Sequence, residues 1–175
     1  MSIWDVMYPW IEDGDLVVLQ PEFEASESGR FVVATRDVWR DLYGTWADPA
    51  LAVRYARARQ VVDAFVSNSL MAARFPPSKS VKAQIAPLQP TTEEVWEFRS
   101  PKPGIRVFGR FAEFNVFIAT NSELREEIND DYTREKEDCK RQWRTFFPTY
   151  APHRGSQLSD YFDNFYEVGN LANHE

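Results

Sequence analysis

Between Val95 and Thr120 the chain holds three short strand-like runs, Val95–Arg99, Ile105–Phe111 and Val116–Thr120. Pro101-Lys102-Pro103-Gly104 turns the first into the second, and Glu113 to Asn115 turns the second into the third. A parallel crossover needs about a dozen residues or more, so connections this short imply antiparallel hairpins. Neighbouring side chains on a strand face opposite ways. Trp96 and Phe98 therefore share one face with Ile105, Val107 and Phe111 of the next strand, as a core face. Glu97 and Arg99 take the other face, as do Arg106, Phe108 and Arg110. Pairing the strands places Arg99, Arg106 and Arg110 on one open face with Phe108 among them. Arginines can hold phosphates there while the ring stacks a base, an arrangement suited to single-stranded RNA. The other reading of the same face is a solvated surface on which Glu97 pairs with an arginine.

Helical signals surround this meander. A strand at Phe31-Val32-Val33-Ala34 is followed by Asp37, a plausible N-cap for a helix over Val38 to Tyr43 that Gly44 ends. Asp48-Pro49 is a helix start, a capping residue with proline in the first turn. From there Leu51, Tyr55, Ala58, Val62, Phe65, Ser69 and Ala73 recur at steps of three and four, predicting a helix of about seven turns. Phe75-Pro76-Pro77 stops it, and residues 76–93 read as a proline-rich connection. A last helix is predicted from Ser122 to Phe147, with Leu124, Ile128, Tyr132, Cys139, Trp143 and Phe146 on its apolar face. The order implies an α+β fold: an antiparallel sheet meander with helices mainly on one face, plus N- and C-terminal additions. Its core is expected to hold Trp96, Phe98, Val107, Phe111, Val116, Ile118, Val62, Phe65 and Trp143. Residues 1–29 read as an acidic extension, 30–147 as the body, and 148–175 as an aromatic tail that packs on the body.

Charge is distributed unevenly. Residues 1–29 carry seven acidic residues and no Lys or Arg; residues 30–110 carry thirteen basic against seven acidic, and residues 111–175 the reverse, seven against thirteen. A basic body between acidic ends can bind phosphate locally although the whole chain carries −7. Trp4, Tyr8 and Trp10 suggest that the acidic segment is anchored to the body, either near the arginines as an internal competitor for RNA or through an edge strand at Leu16 to Leu19. No apolar run approaches the roughly 20 residues needed to cross a bilayer. Met1 to Trp10 lacks a basic signal-peptide start. A cytoplasmic chain with no membrane partner is the expectation. Cys139 is the only cysteine and the histidines are two, His153 and His174, so no metal site and no cofactor are expected. His153, beside Arg154 and Gly155, reads either as a proton shuttle or as an exposed loop residue. Glycine-rich phosphate loops and Gly-x-Ser-x-Gly are absent from the sequence.

Val95-Trp96-Glu97-Phe98-Arg99, Gly104-Ile105-Arg106-Val107-Phe108-Gly109 and Asn115-Val116-Phe117-Ile118-Ala119 together resemble the central meander of the RelE/HigB toxin superfamily, especially its phage-derived HigB-like members. The resemblance spans roughly residues 30–147. It implies a toxin of a toxin–antitoxin system, a ribosome-dependent endoribonuclease that cuts messenger RNA, with an antitoxin protein, the ribosome and mRNA as partners. Such cleavage uses the ribose 2′-hydroxyl as nucleophile and needs a base, cations around the phosphate and an acid for the leaving oxygen. By position the resemblance assigns Arg99, Arg106, Arg125 and Tyr132 to catalysis, and Phe108 and Arg110 to RNA binding. Glu97 stands where active members can carry a cation, Glu126 and Glu127 adjoin Arg125, and Thr120-Asn121-Ser122-Glu123 replaces a lysine-containing stretch. These departures suit the alternative function, a catalytically inactive phage-derived protein that uses the same scaffold for protein–protein interaction.

Overall fold

The computed structural model describes residues 1–21, 29–77 and 82–169. Among the described residues four α-helices, α1 (Ile3–Glu12), α2 (Arg36–Tyr43), α3 (Pro49–Val66) and α4 (Thr133–Phe146), accompany eight strands: β1 (Leu16–Val18), β2 (Phe31–Thr35), β3 (Met71–Ala73), β4 (Ile85–Pro87), β5 (Trp96–Arg99), β6 (Ile105–Glu113), β7 (Val116–Leu124) and β8 (Phe165–Glu167). All the strands join one sheet in the order β1-β2-β7-β6-β5-β4-β3-β8. The fold is α+β, and the antiparallel meander β5-β6-β7 lies at its centre.

The sheet as a whole is not the antiparallel meander that the short connections imply. It is mixed: β2 runs parallel to β7, and β3 runs parallel to both β4 and β8. Connection length constrains only strands joined by tight turns. β2 and β7 are separated by two helices and the rest of the meander, so either direction was open to them.

Helices also cover both faces rather than mainly one. Val32 and Ala34 of β2 pack with Val38 and Leu42 of α2, and with Tyr55, Ala58, Val62 and Phe65 of α3. Val33, pointing the other way, packs with Ile3 and Met7 of α1 and with Trp143 and Phe146 of α4. Phe31-Val32-Val33-Ala34 and Val116-Phe117-Ile118-Ala119 are continuous apolar runs, as strands buried on both sides must be. The nine residues expected in the core are all buried.

Two helix boundaries differ from the periodic reading. α3 stops at Val66, where Ser67 caps it and Asn68 adopts a left-handed φ of 60°. Arg30, 1 % exposed, adds donors to the carbonyls around that end: it donates to Ala64, Phe65 and Ser69 and, across the gap, to Asp163 and Asn164. The chain then extends, and Met71 to Ala73 pairs with the C-terminal strand β8 instead of prolonging the helix. The last helix begins only at Thr133, because β7 continues to Leu124 as the full-length partner of β6. Leu124 and Ile128 thus share helical spacing with Tyr132 by coincidence. Gly109 permits the close approach of these strands at a bulge, since a Cβ there would lie 2.0 Å from the Ile118 carbonyl oxygen.

At the N-terminus, Ser2 and Asp5 form a capping box that starts α1, a helix the sequence reading did not include. Trp4 packs edge-on to Phe31 and Trp10 to Phe146, while Tyr8 is exposed. β1 adds to the sheet edge beside β2. No ion pair joins a described acidic residue of this segment to Arg99, Arg106 or Arg110; Asp15 pairs with Arg36. Glu22, Glu24 and Glu27, part of the competitor idea, lie outside the described residues, as does His174.

Candidate functional site

Strand alternation puts Glu97 and Arg99 on the α4 side of β5, and cross-strand pairing puts Arg106 directly opposite Arg99. Glu97 is 1 % exposed. Its Oε1 accepts a 2.7 Å hydrogen bond from Arg99 Nε, and its Oε2 stands 3.7 Å from Arg106 Nε. That second contact is an ion pair without a hydrogen bond: Glu97 Oε2 and Arg106 Nε are both buried and make no hydrogen bond. Burial pushes the Glu97 carboxyl above its ordinary range, and Arg99, Arg106 and Arg125 pull it back.

Arg125 enters from the 3-10 turn Arg125–Glu127 that follows β7. It lies 5.7 Å over the ring of Tyr132, and its Nη1 donates to the Ile128 carbonyl. Burial first, and then the Glu97 charge, hold the Tyr132 hydroxyl above its ordinary pKa, while Arg106 Nη1 donates to the Ser100 and Ile105 carbonyls. Tyr132 has a left-handed φ of 55° as the residue before α4, and this sharp entry turns its side chain back toward the strands. The four residues that the resemblance assigned to catalysis, Arg99, Arg106, Arg125 and Tyr132, thus gather round one carboxylate.

The turn carrying Arg125 is tied down from the far side of the sheet. Arg54 of α3 donates to both oxygens of Glu126, at 2.5 and 2.6 Å, and to the carbonyls of Pro103 and Gly104 in the β5–β6 turn. The backbone N–H of Arg125 completes the tie by donating to the Gly104 carbonyl. The Arg54 guanidinium lowers the Glu126 carboxyl to about 2. No sequence signal pointed to Arg54, because its partners lie 49 to 72 positions away.

The remaining expectation for this face does not hold. It is not open, because α4 lies across it. Phe108 is fully buried with Leu88, Val95, Ile128 and Cys139, so it has no free surface on which to stack a base. Arg110 is half-buried under α4, 5.6 Å over the Trp143 ring, and donates to the Glu93 carbonyl. Lys136 and Lys140 of α4 pair with Glu93 and hold the helix in this position. Both RNA-binding assignments fall on residues already engaged within the fold. Cys139 is buried in the same layer, which drives its thiol up to about 11.

A second polar group lies near His153. The Tyr161 hydroxyl donates to Glu94 Oε2 at 2.6 Å and accepts from the Gly155 N–H. His153 Nε2 is 2.8 Å from the Asp160 carbonyl oxygen, and the His153 backbone N–H donates to the Phe111 carbonyl. These contacts fasten the 153–161 segment to the sheet. His153 is only partly exposed and its ring is engaged, unlike either a free shuttle or a solvated loop residue.

Among the described residues there is no group of three or more His, Cys, Asp or Glu side chains placed to hold a metal ion. No helix among them is long and apolar enough to cross a membrane. No protein-family model, curated protein or solved structure matches the chain.

Proposed function

We propose that the chain is a cytoplasmic RNA-directed protein of the RelE/HigB kind, an endoribonuclease acting on ribosome-bound messenger RNA, and that the Glu97 cluster is its phosphate-handling site. The convergence of Arg99, Arg106, Arg125 and Tyr132 on one buried carboxylate carries this reading. Arginines in fixed, partly desolvated positions stabilise charge on a phosphate more effectively than mobile surface ones. Arg106 and Arg125 would face the scissile phosphate, and the hydroxyl of Tyr132, whose ring lies beneath Arg125, would protonate the leaving oxygen. Glu97 orients Arg99 and Arg106 in this scheme. An antitoxin would act by covering the cluster.

The burial of Phe108 and Arg110 and the ion-paired state of Glu97 favour a second reading, a scaffold that binds another protein and no longer cuts RNA. A ribosome-programmed cleavage assay separates the two. The first reading expects messenger RNA cleavage by the unmodified chain and a loss of at least about tenfold in Arg106→Ala and Tyr132→Phe. Intact messenger RNA with the folded, unmodified chain leaves the second reading standing.

A further inference from the structure

We propose that the cleft beside His153 is a binding site for a free apolar α-amino acid, held as a zwitterion between Glu113 and Arg154. The site is separate from the Glu97 cluster and does not depend on the RNA reading. β5 begins at Trp96, opposite Gly109, so the last residues of β6 lose that partner strand. The chain after α4 comes alongside instead: the His153 backbone N–H donates to the Phe111 carbonyl at 2.8 Å, and the Trp143 indole donates to the Tyr150 carbonyl. Between this segment and the end of β6 lies an open cleft of about 500 Å³, whose wall includes Ala112, Glu113, Tyr150, Pro152, His153 and Arg154. Small-ligand sites run from about 300 to 1,000 Å³.

Glu113 and Arg154 are the charged side chains of this wall, and they do not pair with each other. The Glu113 carboxylate accepts no hydrogen bond and joins no ion pair with a described residue. The Arg154 guanidinium likewise has no such partner, although the Glu94 charge acts on it at longer range. Glu94 itself is buried, and its Oε2 is taken by the Tyr161 hydroxyl at 2.6 Å. Asp160 is not in this wall, and its carboxylate is occupied by the backbone N–H groups of Ser156 and Gln157. Pairing of Glu113 with Val116, and of His153 with Phe111, fixes the two backbones that carry the opposite charges. A ligand with an ammonium and a carboxylate on one carbon satisfies both charges at once. Being neutral overall, it leaves the charge of the wall unchanged.

His153 gives the wall its second acceptor. The Asp160 carbonyl, 2.8 Å from Nε2, can only accept, so Nε2 carries the proton and Nδ1 keeps the lone pair of the neutral ring. The ring stands edge-on to Tyr161, with centroids 5.6 Å apart, and Nδ1 has no hydrogen-bond partner among the described residues. Nδ1 and the Glu113 carboxylate can therefore take up the N–H groups of an ammonium, while the guanidinium of Arg154 presents paired donors to a carboxylate. Ala112, Tyr150 and Pro152 supply apolar surface for a hydrocarbon side chain. A simple anion would leave Glu113 without a partner, and a simple amine would leave Arg154 without one.

The test titrates the full, unmodified chain with three ligands: L-phenylalanine, its amide, which keeps only the ammonium, and its N-acetyl form, which keeps only the carboxylate. The zwitterion should bind at least about tenfold tighter than either capped form, because each cap leaves one charged group of the cleft unpaired. The His153 ring resonances should shift as it binds. Glu113→Gln and Arg154→Gln remove no contact within the fold, and each should lower the affinity for L-phenylalanine by at least about tenfold. Glu113→Gln should spare the N-acetyl form, and Arg154→Gln should spare the amide. Equal binding of the amide shows that the carboxylate is not read, and equal binding of the N-acetyl form that the ammonium is not; either result overturns the zwitterion site. Binding of none of the three, or binding that leaves the His153 resonances unmoved, also overturns it. The comparison of the three ligands needs no variant to fold, and every outcome leaves the RNA reading to its own cleavage assay.

Discussion

Arg30 and Glu97 are both charged, both about 99 % buried, and solvated by the protein in opposite ways. Arg30 places its guanidinium among five backbone carbonyls at 2.6 to 3.4 Å, from the end of α3 and from residues 163–164. Those acceptors are neutral and fixed, and burial lowers the Arg30 pKa only to about 10, so it stays charged. Glu97 is surrounded by charged side chains instead, and one of its oxygens has no hydrogen bond. A charge satisfied by backbone can only hold segments together. A charge set among cationic side chains, with one contact incomplete, leaves those cations capacity for a ligand. The first site is architecture and the second is a candidate for chemistry.

The largest effect that could break this contrast is at Arg30. Arg30→Ala strands carbonyls from two segments and should cost about 3 kcal/mol or more of unfolding free energy, read from denaturant midpoints. Lysine, with fewer donors and no planar fork, should recover only part of it. A midpoint unmoved by alanine would show that the five contacts do not act as an architectural tie.

Arg54 comes next and sharpens the comparison, because it mixes both modes: it binds two carbonyls like Arg30 and one carboxylate like the Glu97 group. Arg54→Ala should cost about 1–2 kcal/mol through the lost carbonyl bonds. It should also weaken RNA binding, since the turn that carries Arg125 is released. Unchanged binding in a folded Arg54→Ala chain would separate the tie from the site.

The smallest effect is electrostatic. Glu126 titrates at about 2 in the folded chain, below its ordinary 4.5. A depressed carboxylate contributes stability that is present above the unfolded pKa and lost as pH falls through the folded one. Glu126→Gln should therefore flatten the stability–pH curve between about 4.5 and 2, with the slope attenuated because Glu126 is exposed. An unaltered acid limb would show that solvent screens the pair completely.

Much of the meander was legible because its information is local. Short turns specified antiparallel hairpins, and the two-residue period sorted Trp96, Phe98 and Val107 from Glu97, Arg99 and Arg106. Continuous apolar runs at Phe31–Ala34 and Val116–Ala119 also carried a signal of two-sided burial, which the expectation of a mostly one-sided sheet overlooked. Boundaries were read less well where two periods overlapped. Ser69 and Ala73 kept helical spacing beyond Val66, yet a left-handed Asn68 and the Arg30 contacts ended the helix. Leu124 kept it too, yet pairing with Ile105 held that residue in a strand.

Alternation and spacing in the sequence by themselves determined which side chains share a face, and so that Arg99 and Arg106 would stand together. They did not determine what lies over that face. Tertiary structure decided that α4 covers Phe108 and Arg110 and that Arg125 and Tyr132 come in from beyond β7. It also decided that Glu97 is sealed beneath the arginines. Periodicity is a property of neighbouring residues, whereas burial depends on which distant segment fills the space. That choice is made by long-range packing and by ties such as Arg54 to Glu126, which link residues 72 positions apart.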